Sequence, residues 1–141
     1  QTCSAMTKNP TVRPEHLAEV FTEIQMRKDV YPRRIAKRLM TPKSAENKIA
    51  LMTQVHEVLM WLHENKKPAD SPYPPGICGL SAHIKELKTE LNWRDRVYNR
   101  KVLLGQMKPE ERDLKIRLME EVKAMLEQMQ AHNLAVQTSL F

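Results

Sequence analysis

A chain of 141 residues, 41% of them apolar, suffices for one small domain, and with aromatics at only 5% its core must rest on Leu, Ile, Val and nine Met. The net charge of +6 favours acidic partners, nucleic acid above all, without dictating a fold. No apolar run approaches the roughly 18 residues of a membrane span, no charged-then-apolar leader stands at the start, and two cysteines, Cys3 and Cys78, make no disulfide framework. The expectation is a cytoplasmic chain with reduced thiols and no membrane contact.

Residues 1–13 are polar and without period, and read as a flexible N-terminal arm. Pro14 suits a first helical position and Glu15 complements the positive end of the helix dipole. Leu17, Val20, Phe21 and Ile24 then fall at helical spacing and are expected to face a core, with the pattern reaching Ile35 and Leu39. Pro32 predicts a kink near Tyr31. Met40-Thr41-Pro42 marks a turn in which Thr41 caps the next helix. That helix carries a narrow apolar seam of Ile49, Met52, Val55, Leu59 and Leu62. Residues 14–62 are thus read as one helical hairpin. The prolines and glycines of residues 63–80 form a linker, from which Tyr73, Ile77 and Leu80 pack down and after which Ser81 caps a helix. Residues 81–131 form a second hairpin, with Gly105 as a helix stop, Pro109-Glu110-Glu111 as a helix start, and a seam of Ile116, Met119, Val122, Leu126 and Met129. Residues 132–141 read as a C-terminal tail, frayed or weakly docked.

The two hairpins are copies. At a constant offset of 67 residues and without a gap, sixteen of the forty-seven positions from 16 to 62 are identical, among them His16/His83, Glu19/Glu86, Glu23/Glu90, Arg27/Arg94, Tyr31/Tyr98 and Lys48/Lys115. The fold class expected is all-α, two tandem helical hairpins packed with pseudo-two-fold symmetry as a four-helix bundle or an elongated coiled-coil-like pair. Such a chain resembles a homodimer fused into one polypeptide, and suits a partner that is itself two-fold.

The foremost candidate site is a duplicated basic band of Arg27, Tyr31, Arg33, Arg34, Lys37 and Arg38, echoed by Arg94, Tyr98, Arg100 and Lys101. Guanidinium and ammonium groups on one helical face bind phosphates, and tyrosines stack on or hydrogen-bond to nucleotides. The plainer reading pairs Glu23 with Arg27 and Glu90 with Arg94 at the four-residue spacing on a solvated face. The band is also asymmetric, since Lys37 and Arg38 match Leu104 and Gly105. Trp61 and Trp93, each without an aromatic counterpart, are the candidate protein-binding anchors, and exposed methionines would extend such a surface.

His16, Glu19 and Glu23, repeated as His83, Glu86 and Glu90, hold ligand-type side chains at helical steps, but they are expected to point to water because Leu17, Val20 and Ile24 claim the inward face. No metal or cofactor is assigned. The three glycines lack a phosphate-loop arrangement and no nucleophile, histidine and acid can be grouped. Neither enzymatic activity nor a small-molecule substrate is expected.

The run Arg27-Lys28-Asp29-Val30-Tyr31-Pro32-Arg33, followed by Met40, Pro42 and Ile49-Ala50-Leu51-Met52, resembles a group of small, all-helical phage and prophage proteins. These carry Arg-x-x-Val-Tyr-Pro, a Gly-x-Met turn and an Ile-x-x-Met helix. The second copy has Asn99 in place of the proline but keeps Gly105-Gln106-Met107. The resemblance implies a mobile-element origin and transfers no site or activity. Together these features lead to a non-enzymatic phage-type accessory protein whose basic face engages nucleic acid or a host nucleoprotein complex, in the host cytoplasm. The alternatives are a protein-directed inhibitor of a host defence or recombination nuclease, similar to an anti-CRISPR, and a virion assembly factor.

Overall fold

A computed structural model describes residues 11–64 and 79–139, with side chains to residue 132. Among the described residues four helices follow one another: α1 (Pro14–Ala36), α2 (Pro42–His63), α3 (Leu80–Leu103) and α4 (Pro109–Ser139). No strand occurs among the described residues. The protein is an all-α bundle of two hairpins, α1 with α2 and α3 with α4, each packed closely within itself, while α1 also packs on α4 and α3 on α2.

Local chemistry sets most helix ends where the sequence reading places them. Pro14 and Pro42 occupy the first helical positions, where no backbone donor is needed. Thr41 caps α2 by accepting the Ser44 N–H at 3.1 Å. The other cap differs from expectation. Gly79, not Ser81, stands at the N-cap of α3 without a side-chain cap, and the Ser81 hydroxyl instead accepts a bond from Gln130 at 3.0 Å. At the opposite ends, Lys37 N–H and Leu104 N–H bond back to the Arg33 and Arg100 carbonyls. The next residue in each hairpin, Arg38 or Gly105, takes a positive φ, +60° and +73°. Equivalent turns therefore adopt the same left-handed closure, one with the residue suited to it and one without.

Two further expectations change. The first helix ends at Ala36 rather than near Leu39, because the turn at Arg38 closes it. Helix α4 extends to Ser139, over residues read as a tail. Pro32 lies within the span of α1.

The core is made by the seams. Met52, Val55, Val58, Leu59 and Leu62 of α2 meet Met119, Val122, Met125, Leu126 and Met129 of α4, with Val20 and Ile24 of α1 and Ile84 and Leu87 of α3. Leu17 and Leu80 pack at its edge. Phe21 does not join them; it is 54% exposed, beside the His56 ring at 6.2 Å. Tyr73, Ile77, Cys3 and Cys78 lie outside the described residues.

Candidate functional site

Polar groups, not apolar ones, occupy the place where α1 meets α3. Glu19, Glu23 and Arg27 of α1 and Glu86, Glu90 and Arg94 of α3 are all buried. Four- and eight-residue steps put each trio on one helical face, and the two faces meet across the bundle. Arg27 gives its Nε to Glu23 at 2.8 Å, its terminal nitrogens to Glu86 and Glu90 at 2.8 Å each, and a further bond to the Lys48 carbonyl at 2.9 Å. Arg94 repeats this with Glu90 and Glu19 at 2.8 Å, Glu23 at 3.0 Å and the Lys115 carbonyl at 2.9 Å. Lys48 pairs with Glu86 at 3.2 Å and Lys115 with Glu19 at 3.5 Å. Every contact thus has its image under the 67-residue exchange, which is what a pseudo-two-fold requires. Four carboxylates face two guanidinium and two ammonium groups, so the cluster is neutral when fully ionised. No buried side-chain polar atom among the described residues lacks a hydrogen bond.

The electrostatics carry one tension. Burial, followed by the charge of Glu90, pushes the Glu23 carboxyl up to about 7 against the pull of Arg27 and Arg94. Tyr31 and Tyr98 lie against the guanidinium groups of Arg27 and Arg94, with ring centroids at 5.9 and 5.5 Å. Burial pushes both hydroxyls up to about 12, so they stay protonated.

His16 is buried, not directed to water: the Arg13 N–H donates to its Nδ1 at 3.0 Å, so its Nε2 carries the proton and donates to Glu121 at 2.8 Å. Its image His83 pairs with Gln54, the position matching Glu121, at 2.9 Å. Burial lowers the pKa of His83. The carboxylates expected to be solvated are likewise buried in the ion-pair cluster. Among the described residues, no group of three or more His, Cys, Asp or Glu is placed to hold a metal ion.

This geometry divides the predicted basic band. Arg27, Arg94 and Tyr98 are buried and consumed inside the bundle, while Tyr31 is half-buried. Arg33 is exposed but pairs with Asp29 at 3.0 Å. Lys37, Arg38 and Arg100 are exposed, while Arg34 and Lys101 are half-buried. None of these five has a carboxylate partner among the described residues; Lys101 lies 6.0 Å from the Tyr98 ring centroid. Trp61 is half-buried against the core, and Trp93 stands edge-on to Tyr98 at 6.2 Å. Neither forms an exposed anchor; four methionines, Met52, Met119, Met125 and Met129, fill the core, while Met60 is exposed.

A cavity of about 460 Å³ opens beside the cluster. Glu23, Arg27, Glu86 and Glu90 border it on the polar side. Met26, Val30, Met40, Trp93 and Val97 make its apolar walls, and Arg34 and Lys101 also line it. Met26 and Trp93 are symmetry mates, as are Val30 and Val97, and Arg34 and Lys101. The symmetry breaks where Trp93 covers Tyr98, which is 5% exposed, while Met26 leaves Tyr31 on the cavity wall.

Sequence reasoning missed the cluster and the cavity, although one signal marked the former. Several exposed charges diverge between the copies, as at Lys37/Leu104 and Lys43/Glu110, although Arg33/Arg100 does not, whereas His16, Glu19, Glu23, Arg27 and Lys48 are all identical to their mates. Charges kept through divergence are held by one another. No protein-family model matches the chain, and neither a curated protein nor a solved structure shows significant similarity to it.

Proposed function

We infer that the protein is a non-enzymatic, phage-type accessory protein that binds nucleic acid through the turn of its first hairpin. With Arg27 and Arg94 engaged internally, the cations that remain outward concentrate there. Between residues 28 and 43 six basic side chains stand against Asp29 alone, while the matching window 95–110 holds four against Asp95 and Glu110. The observation that carries the reading is that Lys28, Lys37, Arg38 and Lys43 are exposed and without a carboxylate partner among the described residues. Such a cluster neutralises phosphates and gains affinity by releasing counterions. The binding face is therefore one-sided rather than duplicated.

The test is a gel shift on duplex DNA at several salt concentrations. The expected result is binding whose logarithm falls linearly with log salt, at a slope of about −3 to −4 for four phosphate contacts. Lys37→Gln with Arg38→Gln and Lys43→Gln should abolish retention while leaving the melting temperature within a few degrees. Retention by that variant equal to wild type would overturn the reading.

A second reading, a protein-directed inhibitor, draws support from the second hairpin turn. Leu103 and Leu104 are 86% and 60% exposed there, an apolar tip where the first copy has Ala36 and Lys37. A complex formed through that tip would be nearly indifferent to salt and lost with Leu104→Asp.

A further inference from the structure

We propose that the cavity between α1 and α3 binds a small amphiphilic carboxylate, an apolar body carrying one anionic head. The first observation is charge matching. Inward-facing cations are otherwise matched to acids: Arg27 and Arg94 to four glutamates, Lys48 to Glu86 and Lys115 to Glu19. Arg34 and Lys101 are the exceptions, half-buried, lining the same cavity, and without a carboxylate among the described residues. They are also symmetry mates, so the pseudo-two-fold delivers one cation to the cavity from each copy. Partly withdrawn from water, two such groups favour an anion between them more than exposed ones would.

The second observation is the wall. Met26, Val30, Trp93 and Val97 offer apolar surface, and Met adapts its shape to the occupant at little cost. A volume of about 460 Å³ falls within the range of small-molecule sites, which combine mostly apolar walls with a few placed polar groups. The carboxylates bordering the cavity do not repel an anionic head as free charges would, because each is already bonded to Arg27, Arg94 or Lys48.

The site can be read optically. The chain has two tryptophans, and Trp61→Phe leaves Trp93, on the cavity wall, as the sole reporter. Titrating the full chain carrying that change with decanoate, below micelle formation, is expected to shift Trp93 emission saturably, whereas decanol should bind at least about tenfold more weakly. Arg34→Met with Lys101→Met should weaken decanoate about tenfold or more with an unchanged circular-dichroism melt, and Val30→Phe should reduce binding by filling the space. Lys37→Gln with Arg38→Gln and Lys43→Gln should retain the decanoate response while losing DNA, which separates this site from the nucleic-acid reading. Absence of a saturable change, decanol binding equal to decanoate, or full affinity in the Arg34 and Lys101 variant would each overturn the proposal.

Discussion

Glu23 and Glu90 each divide their two oxygens between the same two arginines. Glu23 accepts from Arg27 of its own helix at Oε2 and from Arg94 of the opposite helix at Oε1, and Glu90 accepts from Arg94 at Oε2 and from Arg27 at Oε1. The four side chains form a closed ring about the pseudo-two-fold, flanked by Glu19 and Glu86. Such a ring fixes how the hairpins sit together more than it adds net stability, because desolvating the charges offsets much of their attraction. Apolar seams alone tolerate sliding, whereas a ring of directed bonds does not.

Removing one member should therefore cost far more than an exposed pair is worth. Arg27→Met leaves Glu23, Glu86 and Glu90 buried with one fewer cation and is expected to destabilise by about 3–5 kcal/mol. Arg27→Lys should recover little, since one ammonium cannot reach the three carboxylates and the Lys48 carbonyl that the guanidinium spans. Urea denaturation measures both, and a loss below about 1 kcal/mol for Arg27→Met would contradict a buried role.

The raised pKa of Glu23 has a definite sign in stability. Its folded-state value, about 7, lies above the 4.5 of the unfolded chain, so the folded protein binds the extra proton between those values. This contribution is fully present below about pH 4.5 and is lost as pH rises through 7. Burial lowers the pKa of His83 and His56, which adds stability as pH rises toward 6.5, so the Glu23 contribution is read as the stability difference between wild type and Glu23→Gln. That difference should fall from pH 5.5 to 8 by an amount on the order of 1–3 kcal/mol, and thermal melts giving the two proteins parallel pH profiles would refute the assignment.

Arg38 and Gly105 occupy equivalent left-handed positions, but only Gly105 has the residue suited to one. Arg38→Gly should stabilise by roughly 0.5–1 kcal/mol, the side-chain strain relieved exceeding the added chain entropy. Gly105→Ala should destabilise by about 1 kcal/mol through backbone strain alone, because an added Cβ there meets nothing within 4 Å. Opposite shifts in melting temperature are the expected outcome. The stabilised Arg38 variant should also bind DNA more weakly, since it loses a cation.

Pro32 lies inside α1, where it removes one backbone bond, and its mate Asn99 lies inside α3. Pro32→Asn restores a donor to the Lys28 carbonyl and is expected to stabilise by about 1–3 kcal/mol. A lower melting temperature would mean that α1 needs the shape proline gives it.

The repeat, the four helices and the seams of α2 and α4 were legible in the residues because periodicity and capping act over a few positions. Met52, Val55 and Leu59 are buried at the spacing that marks them, and Thr41 caps where its neighbours require it. The candidate site was not legible in the same way. Glu23 and Arg27, four residues apart, look the same in sequence whether they lie on a wet surface or face another charged helix. An intrahelical partner satisfies only one edge of a guanidinium; the remaining donors of Arg27 find Glu86 and Glu90, 59 and 63 residues away. Sequence alone determined which segments coil and which apolar faces they hide, since those follow from local geometry. Only the packed molecule decided which charges turn inward, because burying a charge becomes tolerable only when distant parts of the chain bring matching groups to within hydrogen-bonding reach.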